Sequence, residues 1–139
     1  MITAERFAQG MTLAEYLDQM RVNKERFVRF MSEAAIEEED REALRRLGPG
    51  LRILIITEDW CGDALYSFPA LARLVEGEPA VETRVFLRDR NPDVMDQYLK
   101  RGMYRTIPVF VFFDERMNEL ARFMERQDVV SELHTLSKV

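Results

Sequence analysis

Cysteine is nearly missing from this chain: Cys61 is the only one in 139 residues. A single thiol cannot close an internal disulfide, which excludes a stapled secreted scaffold and favours a reducing, cytoplasmic setting. Histidine is equally scarce, with His134 alone. Without a second cysteine or clustered histidines at ligand spacing there is no basis for a metal site, and no cofactor is expected. No apolar run approaches the roughly 20 residues that a membrane span needs. The opening Met1-Ile-Thr-Ala-Glu-Arg-Phe7 has no charged-then-apolar leader pattern. Positive charge is not in excess either, with 20 Lys and Arg against 25 Asp and Glu and a net charge of -5. Such a balance exerts no broad attraction on phosphate backbones or anionic lipid, so neither nucleic acid nor membrane is expected as a partner. Low-complexity linkers and internal repeats are also absent. Composition leaves the oligomeric state open.

What is present is a soluble, globular pattern, 47% hydrophobic and 32% charged, at the size of one domain with a proper core. Thr12-Leu-Ala-Glu15 fits a capping box that starts a helix, with Leu13, Tyr16, Leu17 and Met20 on one face. Asn23 is suited to cap a second helix carrying Phe27, Phe30, Met31 and Ala34. A third begins near Ile36. Its acidic start, Glu37 to Asp40, reads as a solvated first turn complementing the helix dipole rather than as a metal or partner site, and Gly48-Pro49 stops it. Residues 1–47 are thus a helical extension ahead of a core at 51–137, the whole forming one domain.

Within that core, Leu51 to Thr57 is an aliphatic strand that meets Glu58-Asp59-Trp60-Cys61-Gly62-Asp63 and passes into a helix running to Val75. Val81 to Leu87 predicts a second strand. Asn91-Pro92 starts a helix with Val94, Tyr98 and Leu99 inward, ended by Gly102. Pro108 to Phe113 predicts a strand covered on both faces, Glu119 to Phe123 its hairpin partner, and a last helix from Asp128 carries Val129, Val130, Leu133 and Leu136. The order after the extension is β-α-β-α-β-β-α. A strand-helix-strand unit implies parallel pairing and a tight link implies antiparallel pairing, which predicts an α/β fold with a mixed sheet between helices.

The chemistry gathers at Cys61. A thiol at a helix start meets free amide donors and the positive end of the dipole, which favour thiolate, whereas Glu58, Asp59 and Asp63 oppose a further anion. A buried, inert thiol is the alternative. His134 reads as structural, Arg88-Asp89-Arg90 as a salt-bridged turn, and the methionines as packing residues.

Trp60-Cys61-Gly62-Asp63-Ala64 resembles the Trp-Cys-Gly-x-Cys motif of thioredoxins, with Pro69 eight residues after the cysteine. Arg105-Thr106-Ile107-Pro108-Val109 resembles their cis-proline segment, and the likeness runs over about residues 51 to 137. The chain resembles more closely still a bacterial thioredoxin-like subgroup with Thr-Glu-Asp-Trp-Cys-Gly-Asp, Arg88-Asp89, Met-Asp-Gln-Tyr-Leu at 95–99 and Asn-Lys-Glu at 23–25. The resemblance implies a thioredoxin-like fold in which Cys61 is the attacking thiol. Trp60, Gly62 and Asp63 would border the substrate, and Ile107 and Pro108 would offer backbone to an extended peptide, with the bond before Pro108 cis. The sequence departs from the pattern twice. Ala64 replaces the resolving cysteine, and Ile55 occupies the place of the family's buried acid, leaving Asp63 or Glu58 as candidates for proton transfer. The expected function is a monothiol thiol-disulfide oxidoreductase whose mixed disulfide is resolved by a low-molecular-weight thiol or a protein thiol. A peptide-binding module without turnover and a single-cysteine redox sensor are the alternatives.

Overall fold

The computed structural model describes residues 1–138. Four helices precede the first strand: α1 (Ala4–Ala8), α2 (Leu13–Gln19), α3 (Lys24–Glu33) and α4 (Glu38–Arg46). There follow β1 (Arg52–Thr57), α5 (Gly62–Glu76), β2 (Glu82–Leu87), a 3-10 turn (Arg88–Arg90), α6 (Pro92–Met95), β3 (Val109–Phe113), β4 (Glu119–Met124) and α7 (Val129–Ser137). The strands form one sheet in the order β2-β1-β3-β4. β1 runs parallel to β2, across the α5 crossover, and antiparallel to β3, while β3 and β4 form an antiparallel hairpin. In the hairpin turn the Asp114 carboxylate accepts the Arg116 and Asn118 amides at 2.8 and 2.9 Å. This is the mixed, helix-flanked α/β arrangement that the element order predicts.

β1 is aliphatic throughout because it is covered on both sides. Ile53 and Ile55 face one core with Phe110 and Phe112 from β3, closed by α2, α3, α5 and α7. Leu54 and Ile56 face a second core with Val109 and Val111, closed by α1, α6 and the start of α5. In the first core Phe68 of α5 meets Tyr16, Phe27 and Phe110 at ring-centroid distances of 5.7, 5.2 and 5.9 Å. Residues of the helical N-terminal portion therefore complete the larger core. The same portion covers a sheet edge, because Met11 exchanges two backbone hydrogen bonds with Val85 of β2, at 2.9 and 2.7 Å.

Local signals explain several boundaries. The capping box forms: Thr12 Oγ1 accepts the Glu15 amide at 3.2 Å and Glu15 Oε1 accepts the Thr12 amide at 2.8 Å. The hydrogen bond from the Thr12 amide pulls the Glu15 carboxyl below its usual value. Helix α1, absent from the sequence-based element order, is a short helix capped by the Thr3 hydroxyl. Asn23 precedes α3 but makes no side-chain cap; it adopts φ 62° and points elsewhere. Helix α6 stops at Met95 rather than running to Gly102. The chain beyond it turns at Arg101 and Gly102, both with positive φ, around a Lys100–Tyr104 bridge, although Tyr98 remains buried as its spacing suggests.

A candidate thiol site at the start of α5

Cys61 is the N-cap residue of α5. Its amide donates to the Glu58 carbonyl at 3.2 Å and its carbonyl accepts the Leu65 amide at 3.1 Å, so the turn from Glu58 to Cys61 is one hydrogen-bonded unit. The side chain is 9% exposed. Its Sγ lies 3.7 Å from the Ile107 carbonyl oxygen, which accepts from the thiol. The Ile107–Pro108 peptide bond is cis. The two motifs, 46 residues apart, thus meet at one point. A third loop supports them: the Glu125 amide donates to the Pro108 carbonyl at 2.9 Å, and the Ser67 hydroxyl of α5 reaches the Glu125 carbonyl at 3.1 Å.

Around the thiol, Trp60 is half exposed and Gly62 exposed, with nothing within 4 Å of where a Gly62 Cβ would lie. Asp63 sits in the first turn of α5 and faces Arg126 at 3.5 Å. Arg126 in turn stacks on Tyr66, 4.5 Å from the ring centroid. Ala64 is buried in the second core, and Ile55 is fully buried among apolar side chains of the first. Neither offers sulfur or a titratable proton.

The acidic neighbours are occupied away from the thiol. Glu58 Oε2 accepts the Asp89 amide at 3.0 Å, and Asp59 Oδ2 accepts the amides of Arg21 and Val22 at 2.9 and 3.2 Å. Among the described residues the hydrogen-bond partner of Sγ is Ile107 rather than a carboxylate. Tyr16 lies buried beneath the same strand end. Burial pushes its hydroxyl far up, against an opposing hydrogen bond with Thr57, and it stays protonated.

One site residue escapes the sequence-based reading of function. Arg88 does pair with Asp89, at 2.9 Å, as a local turn should. It also stacks over Trp60, 5.1 Å from the ring centroid, and donates to the Arg105 carbonyl at 3.3 Å. One guanidinium therefore joins the tryptophan loop to the segment before Pro108. The available signal was its place immediately after a strand parallel to β1, at the carboxyl end of the sheet where α/β proteins gather their sites. His134 is remote from the thiol: it pairs with Asp40 and ties α7 to α4. Among the described residues no group of three or more His, Cys, Asp or Glu is placed to hold a metal ion, and no helix is long and apolar enough to cross a membrane.

Comparison with known proteins agrees with this fold. Among solved structures, a Pseudomonas aeruginosa protein of unknown function superimposes with a TM-score of 0.76 at 21% identity, covering 99% of this chain and 94% of its own. Fasciola hepatica thioredoxin matches with a TM-score of 0.50 at 25% identity, over 70% of this chain and 91% of its own. Trichomonas vaginalis thioredoxin matches with a TM-score of 0.51 at 23% identity, over 70% of this chain and 89% of its own. No curated protein matches. A family model described as Thioredoxin matches residues 10–138, taking in α2 to α4 as well as the sheet. By that match the chain belongs to the thioredoxin family.

Proposed function

We propose that this protein is a monothiol thiol-disulfide oxidoreductase of the bacterial, cytoplasmic thioredoxin-like subgroup marked by Thr57-Glu-Asp-Trp-Cys-Gly-Asp63. Residues 1–47 act as an integral part of a single domain. The observation that carries the reading is the placement of Cys61 Sγ at a helix start, 3.7 Å from the Ile107 carbonyl, with Ala64 where a resolving thiol would stand. The Cys61 thiolate attacks one sulfur of a disulfide, forming the Cys61–S–S–R bond, and the other sulfur leaves as a thiolate. An external thiolate then attacks the captured sulfur, forming a new disulfide with it and returning the electron pair to Cys61. Trp60, Gly62 and Asp63 border the entering group, and the backbone at Ile107 and Pro108 receives an extended segment.

The test is the pH dependence of Cys61 alkylation, followed by exchange with a small disulfide in the presence of a low-molecular-weight thiol, for wild type and Cys61→Ser. Catalytic exchange that disappears in Cys61→Ser supports the proposal. Alkylation with a midpoint at or above the roughly 8.5 of a free thiol, and no exchange, overturns it. One observation favours a second reading: the thiol is buried and donates to a carbonyl, the role of a resting S–H group. In that reading the groove binds peptide without turnover, and binding survives Cys61→Ser.

A further inference from the structure

Three hydrogen bonds from one turn of the N-terminal portion converge on Asp59. Met20 is the C-cap residue of α2, and the next two amides, Arg21 and Val22, have their acceptor in Asp59 Oδ2, at 2.9 and 3.2 Å. Asn23 then takes φ 62°, a conformation few side chains other than asparagine and aspartate tolerate, and its Nδ2 donates to the Asp59 carbonyl at 3.1 Å. Asp59 lies inside the hydrogen-bonded turn from Glu58 to Cys61 and directly precedes Trp60. A displacement of Asp59 is therefore a displacement of the whole turn that carries the thiol.

We infer that the turn between α2 and α3 is a clamp on the thiol loop, with Asp59 and Asn23 as its positioning residues. The clamp keeps Cys61 against the Ile107 carbonyl, and access to the thiol requires the clamped turn to open. Both partners of the clamp are paired in the closed state: the carboxylate accepts two amides, and the carboxamide answers the carbonyl. The inference rests on the proposed reading only in taking Cys61 as the thiol of the site. It needs no turnover.

The experiment is the rate of Cys61 alkylation by iodoacetamide across pH, on folded protein, with a denaturation curve for each variant. A buried thiol reacts through its open population, so the rate follows the opening equilibrium. Asp59→Ala removes both charge-assisted bonds and is expected to raise the plateau rate about tenfold. Asn23→Gly keeps the positive φ while removing only the carboxamide, with an expected rise of about threefold. Asp59→Asn retains an acceptor oxygen but loses the charge assistance, and is expected to fall between wild type and Asp59→Ala, at about threefold. In Asn23→Gly the midpoint of the pH profile stays in place, because only access changes; the two Asp59 variants shed the same charge, so any movement of the midpoint is common to both and the plateau rate reads the clamp. Folded Asp59→Ala and Asn23→Gly proteins reacting at the wild-type rate would overturn the clamp. So would an Asp59→Asn protein whose plateau rate equals that of Asp59→Ala, which would assign the effect to lost negative charge. If Asp59→Ala does not fold, Asn23→Gly decides. A wild-type protein that is alkylated but never exchanges disulfides defeats the proposed turnover and leaves the clamp standing.

Discussion

At the scale of single residues, Ala64 is where the chemistry can be rewritten. It lies in the first turn of α5, three residues after the N-cap Cys61, and both side chains belong to the second core. Cysteine adds one sulfur atom at a buried, small-residue position. Ala64→Cys is expected to fold, to form an intramolecular disulfide with Cys61 under mild oxidant, and to show no free thiol by quantitative labelling; two free thiols after oxidation would refute this. Arg88 belongs to the same scale. Arg88→Ala removes the stack on Trp60 and the hydrogen bond to Arg105, and the emission maximum of Trp60 is expected to move to the red as water replaces the guanidinium face. Cys61, Trp60, Ile107 and Pro108 were legible in the sequence because their types and spacing form a pattern. Arg88 and Asp59 were legible as members of a motif and, for Arg88, as a local ion pair, but not by their distant contacts. Their partners lie 17 and 37 to 38 positions away, and no local rule links such distances.

Among the elements, α1 has a pH dependence of its own. Arg6 grips Asp93 of α6 through two hydrogen bonds of 2.9 Å and reaches Asn91 at 2.8 Å. The hydrogen bonds to Arg6 hold the Asp93 carboxyl below its usual range. A depressed folded-state value contributes stability that is present above the unfolded value of about 3.9 and is lost as pH falls through the folded value. Amide exchange at Phe7 and Gly10 is therefore expected to accelerate below about pH 4 before the sheet opens, and Asp93→Asn is expected to reproduce the effect at neutral pH. Unchanged protection of α1 in either condition would argue against it. The strands and α5 could be read from sequence because continuous aliphatic runs and helical spacing leave few alternatives. Helix α1 could not, since its five residues depend on docking Phe7 into the second core, and α6 was read too long because Tyr98 keeps its burial in a non-helical turn. Asn23 looked like a cap by type, but the Asp59 carbonyl took its carboxamide.

For the whole molecule, the aromatic cluster decides how far the N-terminal helices can be separated from the sheet. Phe68 touches Tyr16 and Phe27 from those helices and Phe110 from β3. Phe68→Ala is expected to cost about 3–5 kcal/mol in urea denaturation, a large share of a domain's stability. Deleting residues 1–34 would strip Tyr16 and Phe27 from Phe68 and uncover the β2 edge at Val85, and the truncated chain is expected to aggregate on size-exclusion chromatography. A stable truncated monomer would show that the sheet stands alone. The half-exposed ring beneath Arg88 has one more use. It is the chain's only tryptophan and the residue next to its only cysteine, so the protein carries its own optical probe. Excited at the red edge, the molecule emits from a single place, and any group that joins the sulfur is announced by a change in colour or brightness without a label.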